Sequence, residues 1–226
     1  MSPMLLSALR AVFGLGLAMS APAARASAQE VVDLANPGGA PWHPVNRSPV
    51  LVADGGRPVL RFDERAGGGL AWSPALTLAD GDIEVEVLGR DVLQKSFVGI
   101  AFHIASDAEF EVVWLRPFNY ESADSSRRAH SVQYASYPTY GWQVLRAEQP
   151  GGYEAAVPAG VKPNVWAHLR VELRGRRVSV YLNGAATPVL AIEGRGGRST
   201  GGVGLFVGDM SPGDFANLRI TPASSR

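Results

Sequence analysis

The stretch WAHLRVELRGRRVSVYLNG, residues 166–184, carries the clearest fold signal in this chain of 226 residues. Apolar residues alternate with polar residues on both sides of Gly175, as they do in a β-strand with one buried face. The apolar positions are Leu169, Val171 and Leu173 before the glycine, and Val178, Val180 and Leu182 after it. This pattern predicts a β-hairpin, and Asn183-Gly184 predicts the next tight turn.

Short apolar runs of the same kind recur along most of the chain, separated by Gly, Pro, Asp and Asn. The runs predicted to be strands are residues 50–53, 59–62, 69–72, 82–88, 97–104, 110–116, 130–135, 143–147, 166–174, 177–182, 189–193, 202–207 and 214–221. Runs of this length without a helical period are typical of two packed antiparallel sheets. The predicted fold class is therefore all-β, a two-sheet antiparallel β-sandwich.

The amino-terminal segment has the features of a signal peptide. Arg10 precedes an apolar run, residues 11–18, and small residues end the segment at position 28. We therefore predict a signal peptide over residues 1–28, a single domain over residues 29–226, and a secreted or periplasmic location. No apolar run approaches the roughly 20 residues of a membrane-spanning helix, so we expect no stable membrane insertion.

The composition excludes several kinds of site and partner. The chain has no cysteine, so it forms neither disulfides nor thiolate metal sites. Removing the two leader arginines from 21 basic residues leaves 19, against 21 acidic residues. This near balance gives no reason to expect a nucleic-acid partner.

Residues 97–142 differ from the rest of the sandwich, because the predicted strands there carry large polar and aromatic side chains. In FVGIAFHI, residues 97–104, the small residues Gly99 and Ala101 share a face with His103, which predicts a sheet face with room for a ligand. The polar and aromatic residues of this region and its continuation are Glu111, Trp114, Arg116, Asn119, His130, Gln133, Tyr134, Tyr140, Trp142 and Arg146. Such a density of planar donors and aromatic rings indicates a ligand-binding face.

The order of motifs along the chain resembles the concanavalin A-like lectin/glucanase superfamily over roughly residues 69–220. The motifs are GDIEVEV, FVGIAFH, FEVVWLRPFN, RAHSVQY, the hairpin quoted above, and the closing GGVGLFVG and GDFANLRI. Within that superfamily the chain is most similar to the secreted bacterial 3-keto-disaccharide hydrolase-like group. The resemblance implies a jelly-roll sandwich that binds a carbohydrate ligand or substrate, or acts on it, at its concave sheet.

The glucanase carboxylates of that superfamily are not matched here. The nearest approach to the glucanase pattern Glu-x-Asp-x-x-Glu is Glu84 and Glu86, with Gly89 where the third acid is needed. Because these glutamates alternate with apolar residues, we predict that they lie on the solvated face of a strand.

Four residues are candidates for catalysis on a keto-sugar. His103 or His130 would exchange a proton near neutral pH, and Arg116 would hold a carbonyl or a developing oxyanion. Glu111 would orient a histidine, although the residues that share its side of the strand are predicted to be core. Arg116 is therefore the stronger candidate of the two charged residues.

The remaining candidates would bind the substrate. Flat apolar rings for stacking on a sugar come from Trp114, Tyr134, Tyr140 and Trp142. Hydrogen bonds to sugar hydroxyls would come from Asn119, Gln133 and Arg146.

A divalent metal ion is one cofactor to consider. His103 and His130 with Glu111 would supply imidazole and carboxylate ligands, but no local spacing such as His-x-x-x-His supports the set. The sequence leaves the cofactor unassigned.

We expect a secreted carbohydrate-active protein that cleaves a 3-keto-glycoside or a related modified sugar. In such a substrate the C3 carbonyl acidifies the neighbouring C–H, so one base and one cation suffice to drive elimination of the leaving group. The alternative is a non-catalytic glycan-binding module of the lectin or laminin G-like kind. A third reading is a structural or interaction protein whose polar strand residues face water.

Overall fold

The computed structural model describes residues 28–224, so the predicted signal peptide lies outside the described residues except for its last position. The strands are β1 (Glu30–Val31), β2 (His43–Val45), β3 (Val50–Asp54), β4 (Arg57–Phe62), β5 (Gly69–Leu78), β6 (Gly81–Leu88), β7 (Val98–Ser106), β8 (Glu109–Leu115), β9 (Val132–Tyr137), β10 (Glu154–Ala155), β11 (Ala167–Arg174), β12 (Arg177–Leu182), β13 (Leu190–Glu193), β14 (Gly201–Val207) and β15 (Gly213–Pro222). The helical elements are α1 (Ser125–Arg128), α2 (Trp142–Glu148) and single 3-10 turns at Pro37–Gly39 and Pro117–Asn119. None of the described helices is long and apolar enough to cross a membrane.

The strands form two antiparallel sheets. The eight-stranded sheet has the order β13-β12-β11-β6-β15-β4-β3, with β1 paired to β15. The seven-stranded sheet has the order β10-β9-β8-β7-β14-β5-β2. Their inner faces pack against each other, which confirms the predicted two-sheet antiparallel β-sandwich.

The hairpin of residues 166–184 forms as predicted and supplies part of the core. Strands β11 and β12 pair in the register Leu169↔Leu182, Val171↔Val180 and Leu173↔Val178. All six side chains are buried, and each contributes roughly 1.5–3 kcal/mol by leaving water. On the neighbouring β6 the buried residues alternate with Glu84 and Glu86, which lie partly exposed on the outer face as expected.

Residues 143–147 belong to helix α2, and the prediction of a strand there is wrong. Gln, Leu, Arg, Ala and Glu are strong helix formers, and a run of five residues is too short to separate a period of 2 from one of 3.6. Trp142, Leu145 and Arg146 are three and four positions apart and lie on the less exposed side of the helix, whereas Val144 is exposed.

Three short strands were not predicted, and the first of them, β1, has two residues and pairs with β15. Strand β2 lies in a Pro- and Gly-rich segment and pairs with β5, and β10 has only two residues and pairs with β9. Segments this short show no alternation in the sequence, so only the partner strand identifies them.

Gly99 lets two aromatic rings approach each other on the outer face of the seven-stranded sheet. Phe206, Gly99 and Trp114 are partners across β14, β7 and β8, so they face the same way. The ring centroids of Phe206 and Trp114 lie 5.8 Å apart, well below the roughly 9.5 Å of two strand spacings. The two rings therefore lean toward each other over the glycine.

His103 leaves this outer face, contrary to the prediction that it shares a face with Gly99 and Ala101. The pairing of β7 with β8 shifts register between Phe102 and Ser106, and His103 has φ +49°. Such a bulge with positive φ interrupts the alternation of side chains along a strand.

Candidate functional site

A cleft of about 960 Å³ lies on the outer face of the seven-stranded sheet. Its floor is an aromatic strip of Tyr137, Phe110, Phe206 and Trp114. Neighbouring ring centroids are 5.3 Å apart for Phe110–Tyr137, 6.3 Å for Phe110–Phe206 and 5.8 Å for Trp114–Phe206. The strip offers an apolar surface of the kind that packs against the C–H groups of a sugar ring, and the volume is typical of small-molecule sites.

Four ionisable residues meet at one end of the cleft, and we call them the Glu154 cluster: Glu154, Arg116, His130 and Arg146. The Glu154 side chain on β10 is only 1% exposed. Its carboxylate accepts hydrogen bonds from Arg116 Nη1 at 3.4 Å and Arg146 Nε at 2.9 Å, with a further bond from Arg146 Nη2. A carboxylate so far from water needs partners of this kind, because its desolvation costs several kcal/mol.

His130 is the solvent-facing histidine of the cluster. Its side chain is 32% exposed and lines the cleft. Nδ1 lies 2.9 Å from Glu154 Oε2, although the ring is not aligned for a hydrogen bond. Since Nδ1 faces the carboxylate, Nε2 is the ring nitrogen that remains for a ligand.

Arg116 follows β8 and is held by neutral acceptors as well as by Glu154. Nη1 donates to the carbonyl oxygen of His130 at 2.8 Å, and Nη2 donates to Gln133 Oε1 at 3.2 Å. Gln133 is itself buried, and its amide donates to the carbonyl oxygens of two neighbouring tyrosines. Gln133 therefore positions Arg116, and it does not face the cleft as a sugar ligand would require.

Aromatic rings surround the Arg116 guanidinium. Its Cζ atom lies 5.5 Å from the Trp114 ring centroid, 5.7 Å from that of Phe97 and 6.0 Å from that of Trp142. Burial lowers the pKa of Arg116 to about 10, a shift that Glu154 opposes and the like charge of Arg146 increases. Arg116 therefore remains charged at neutral pH, in apolar surroundings that strengthen its electrostatic interactions.

Asn119 and Arg127 complete the polar end of the cleft. Asn119 Nδ2 donates to the His130 carbonyl oxygen at 3.2 Å, and Arg127 Nε donates to Asn119 Oδ1 at 3.3 Å. Arg127 Nη2 donates to the Phe118 carbonyl oxygen at 3.0 Å. These bonds fix both side chains beside His130.

A second group, which we call the buried relay, lies toward the other end of β8 and consists of His103, Glu111 and Tyr134. His103 Nδ1 is 2.8 Å from Glu111 Oε1, and the Tyr134 hydroxyl donates to Glu111 Oε2. The backbone N–H of Arg195 donates to the Tyr134 hydroxyl oxygen at 2.7 Å. Burial, with the Glu111 charge, raises the pKa of Tyr134, so the phenol stays a donor.

The buried relay borders a separate pocket of about 420 Å³, which is also lined by Tyr140 and Arg195. The predicted catalytic set is thus divided between two cavities, with Arg116 and His130 in one and His103 and Glu111 beside the other. The strand bulge at His103 is the physical reason for this division.

The cleft brings together six of the predicted site residues. They are Arg116, Asn119, His130, Trp114, Trp142 and Arg146. Tyr134 belongs to the buried relay, and Tyr140 lines the smaller pocket, where the Arg195 guanidinium lies 4.1 Å from its ring centroid. Neither tyrosine is therefore placed to stack on a ligand in the cleft.

The sequence reasoning missed Glu154 and Phe206. Glu154 stands alone in GGYEAAV without any pattern, and only the pairing of β10 with β9 places it beside Arg116 and Arg146. Phe206 could have been found, because it alternates with the core residues Leu205 and Val207 in a predicted strand.

Asp107 was also missed, at the opposite end of the cleft from the Glu154 cluster. Its Oδ1 lies 2.9 Å from His43 Nε2 and accepts a hydrogen bond from Trp72 Nε1 at 3.1 Å. Burial raises the pKa of Asp107, but the hydrogen bonds from His43 and Trp72 outweigh it and lower the pKa overall.

The residues considered as metal ligands do not meet. His103 and Glu111 border the smaller pocket, whereas His130 lines the cleft. Among residues 28–224, no three His, Asp or Glu side chains are grouped so that they could hold a metal ion.

Comparison with known proteins identifies the fold. No protein-family model and no curated protein matches the chain. Among solved structures, the carbohydrate-binding module CBM66 from Bacillus subtilis aligns with a TM-score of 0.55 and 16% identity, over 79% of this chain and 94% of that chain. The chain has a galectin-like β-sandwich fold.

Two further structures support this fold. A Bacillus subtilis protein of unknown function with a galectin-like fold aligns with a TM-score of 0.53 and 12% identity, over 82% of this chain and 90% of that chain. The exoplasmic/lumenal domain of VIP36 in its Ca²⁺/Man2-bound form aligns with a TM-score of 0.56 and 15% identity, over 88% of each chain. At these identities the similarity is one of fold.

Proposed function

We propose that this protein binds a carbohydrate in the cleft on its seven-stranded sheet. The observation that carries the proposal is the continuity of the aromatic strip with the Glu154 cluster in one cleft. A sugar ring has apolar C–H faces and a rim of hydroxyl groups, so it needs both kinds of surface side by side. Two structures of similar fold are in keeping with this proposal, since one is named as a carbohydrate-binding module and the other contains Man2.

The finer proposal is that the protein cleaves a 3-keto-glycoside by elimination, with His130 as the base. His130 Nε2 takes the proton from C2, the electron pair forms the C1–C2 double bond through the enolate, and the aglycone leaves C1 with its bonding pair. Glu154 stabilises the protonated imidazole at Nδ1, and the arginines of the cluster stabilise the enolate oxygen. The proton held by His130 then passes to the departing aglycone oxygen, and water adds across the double bond with its hydroxyl on C1 and a hydrogen on C2.

The test is release of the aglycone from a chromogenic 3-keto-glucoside, with the unoxidised glucoside as the control substrate. A general base contributes about 10²–10⁴-fold, so His130→Ala should lower kcat at least a hundredfold. His168→Ala is the matched control, because His168 lies on the other sheet and contacts Glu84. Full turnover by His130→Ala would refute the catalytic role.

The second candidate is a non-catalytic glycan-binding module. Burial of Arg116 and Glu154 favours it, because both are partnered within the protein and the cleft then offers mainly rings and donors. Saturable binding of a neutral glycan, weakened by Trp142→Ala, together with no turnover of the 3-keto-glucoside, would decide for this candidate.

A further inference from the structure

The polar end of the cleft carries more positive than negative charge. Three guanidinium groups line it beside His130, and they belong to Arg116, Arg127 and Arg146. Within the Glu154 cluster the one carboxylate is shared by two of these arginines and the histidine. One carboxylate neutralises one guanidinium, so Glu154 alone does not neutralise the positive charge at the polar end of the cleft.

Arg127 is the clearest source of this excess. Its side-chain acceptors are neutral, the Asn119 amide oxygen and the Phe118 carbonyl oxygen, and no carboxylate of residues 28–224 lies within ion-pair distance. Asp124 precedes α1, the helix that carries Arg127, and its charge interacts with that of Arg127. The Asp124 carboxylate is exposed, however, and its Oδ1 accepts hydrogen bonds from the Ser126 N–H at 2.8 Å and hydroxyl at 2.7 Å.

Two carboxylates, Asp107 and Asp209, line the cleft, and both have partners elsewhere. Asp107 lies before β8 whereas Arg116 lies after it, and the seven residues of β8 alone span roughly 20 Å. Asp209 follows β14, which β7 separates from β8, and it accepts a hydrogen bond from the Gly67 N–H at 2.6 Å. Neither carboxylate is placed to neutralise Arg127.

We propose that the carbohydrate bound in the cleft is anionic, and that a carboxylate or sulfate group on its sugar ring is held at the polar end by Arg127 and Arg146. This inference rests on the proposed carbohydrate binding and specifies the class of ligand. The two side chains are partly exposed, and a guanidinium matches the paired oxygens of either anion. The neighbouring aromatic rings of Trp142 and Trp114 contact the sugar ring that carries the anion.

The test compares ligands that differ only in charge, by isothermal titration calorimetry on the mature protein. The probes are trigalacturonate with its fully methyl-esterified form, and a sulfated galactose disaccharide with its unsulfated form. The inference predicts at least about tenfold tighter binding of one anionic member over its neutral partner, and a weakening of that binding as sodium chloride is raised. The probe pair that shows this difference in affinity tells whether the cleft prefers a carboxylate or a sulfate.

Variants then assign the contact. Arg127→Gln should weaken binding of the preferred anionic probe by about tenfold and leave binding of its neutral partner unchanged. Arg177→Gln is the control, because Arg177 is an exposed arginine on β12 of the other sheet. Its affinities should equal those of the wild type.

Each remaining outcome would overturn the anionic inference alone or carbohydrate binding as well. Equal affinity for charged and neutral members, with binding lost in Trp142→Ala, overturns the anionic inference and leaves carbohydrate binding in the cleft standing. Unchanged affinity of Arg127→Gln for the anionic probe also overturns the inference. If none of the probes binds and a wider panel of neutral glycans also fails, both proposals are refuted.

Discussion

Glu154 shows how a single buried residue can position several others. Its two oxygens contact side chains from three different parts of the chain, namely Arg116 after β8, His130 before β9 and Arg146 on α2. Removing the negative charge leaves the buried Arg116 and the partly exposed Arg146 without their counter-charge, and water cannot replace it at Arg116. The geometry of the polar end therefore depends on one carboxylate that the ligand need not touch.

For Glu154→Gln we expect the free energy of unfolding to fall by about 3–5 kcal/mol, because Arg116 and Arg146 lose their counter-charge. Urea denaturation followed by tryptophan fluorescence measures the change. Glu193→Gln, at an exposed position on β13, serves as the control and should stay within about 0.5 kcal/mol of the wild type. Equal stability of the two variants would contradict the role given to Glu154.

At Tyr120, in contrast to Glu154, we expect removal of a buried polar group to stabilise the protein. Its hydroxyl is buried without a hydrogen-bond partner among the described residues, and burial raises its pKa. Tyr120→Phe should therefore raise the free energy of unfolding by about 1 kcal/mol. Tyr181→Phe, which removes a hydrogen bond to Glu172 at 2.9 Å, should not stabilise the protein.

The raised pKa of Tyr120 also predicts a pH dependence. The unfolded tyrosine loses its proton near its ordinary pKa of about 10, whereas the folded tyrosine keeps it, so stability is complete below that pH and falls as pH rises above it. Tyr120→Phe should lose less stability than the wild type between pH 7 and about 10.5 in paired urea titrations. Parallel losses in the two proteins would argue against the buried, unpaired hydroxyl.

At the scale of elements, alternation in the sequence predicted most strands because one face of each strand is buried. The hairpin of β11 and β12 is the clearest example, since its apolar positions define both the register and the core face. The same rule failed at residues 143–147, where strong helix formers make α2 in a run too short to show its period. It also failed at His103, where a bulge turns the side chain away, and a bulge depends on the partner strand, which a single sequence does not display.

The same limit applies to the candidate site. Arg116, Asn119 and His130 were candidates because large polar and aromatic residues are dense in their part of the sequence, and the structure brings all three to one cleft. Glu154 could not be predicted, because it acts from a two-residue strand and its partners are more than 20 positions away, apart from Arg146. Its role is a property of the fold rather than of a local motif.

Gly99, on β7, shapes the floor of the cleft. A Cβ there would lie 2.6 Å from Trp114 Cα and would also meet the Val113 carbonyl oxygen. We expect Gly99→Ala to destabilise the protein by about 1–3 kcal/mol through overpacking. Thermal and urea denaturation measure the effect, with Gly197→Ala as the control because a Cβ at Gly197 meets nothing within 4 Å. A neutral effect of Gly99→Ala would show that β7 and β8 can separate without cost.

At the scale of the whole molecule, the two cavities differ in whether the polar atoms beside them are already bonded within the protein. The buried relay is enclosed and its polar atoms are used within the protein, whereas His130 in the cleft keeps Nε2 for a ligand. We therefore expect the relay to stabilise the fold near the ends of β7 and β8, and we propose the cleft as the place where ligand is recognised.

This division predicts opposite results for two histidines. His103→Ala should lower the free energy of unfolding by about 3 kcal/mol, because Glu111 loses a buried partner, and should leave ligand affinity in the cleft unchanged. His130→Ala should alter ligand affinity in the cleft. It should change the free energy of unfolding by less than about 1 kcal/mol, because the His130 side chain is partly exposed. The measurements are urea denaturation and calorimetric titration of the same protein samples; a loss of affinity in folded His103→Ala would contradict the division.

The two outermost strands of the cleft-bearing sheet, β10 and β2, also bear on how the protein behaves at high concentration. An uncovered edge strand invites a second chain to add on by hydrogen bonding, and short strands, proline and inward-pointing charges prevent it. Strand β10 is two residues long and carries Glu154, whose charge points inward, while β2 is three residues long and contains Pro44. The carboxylate that organises the polar end thus also protects the edge of this sheet against pairing with a second chain.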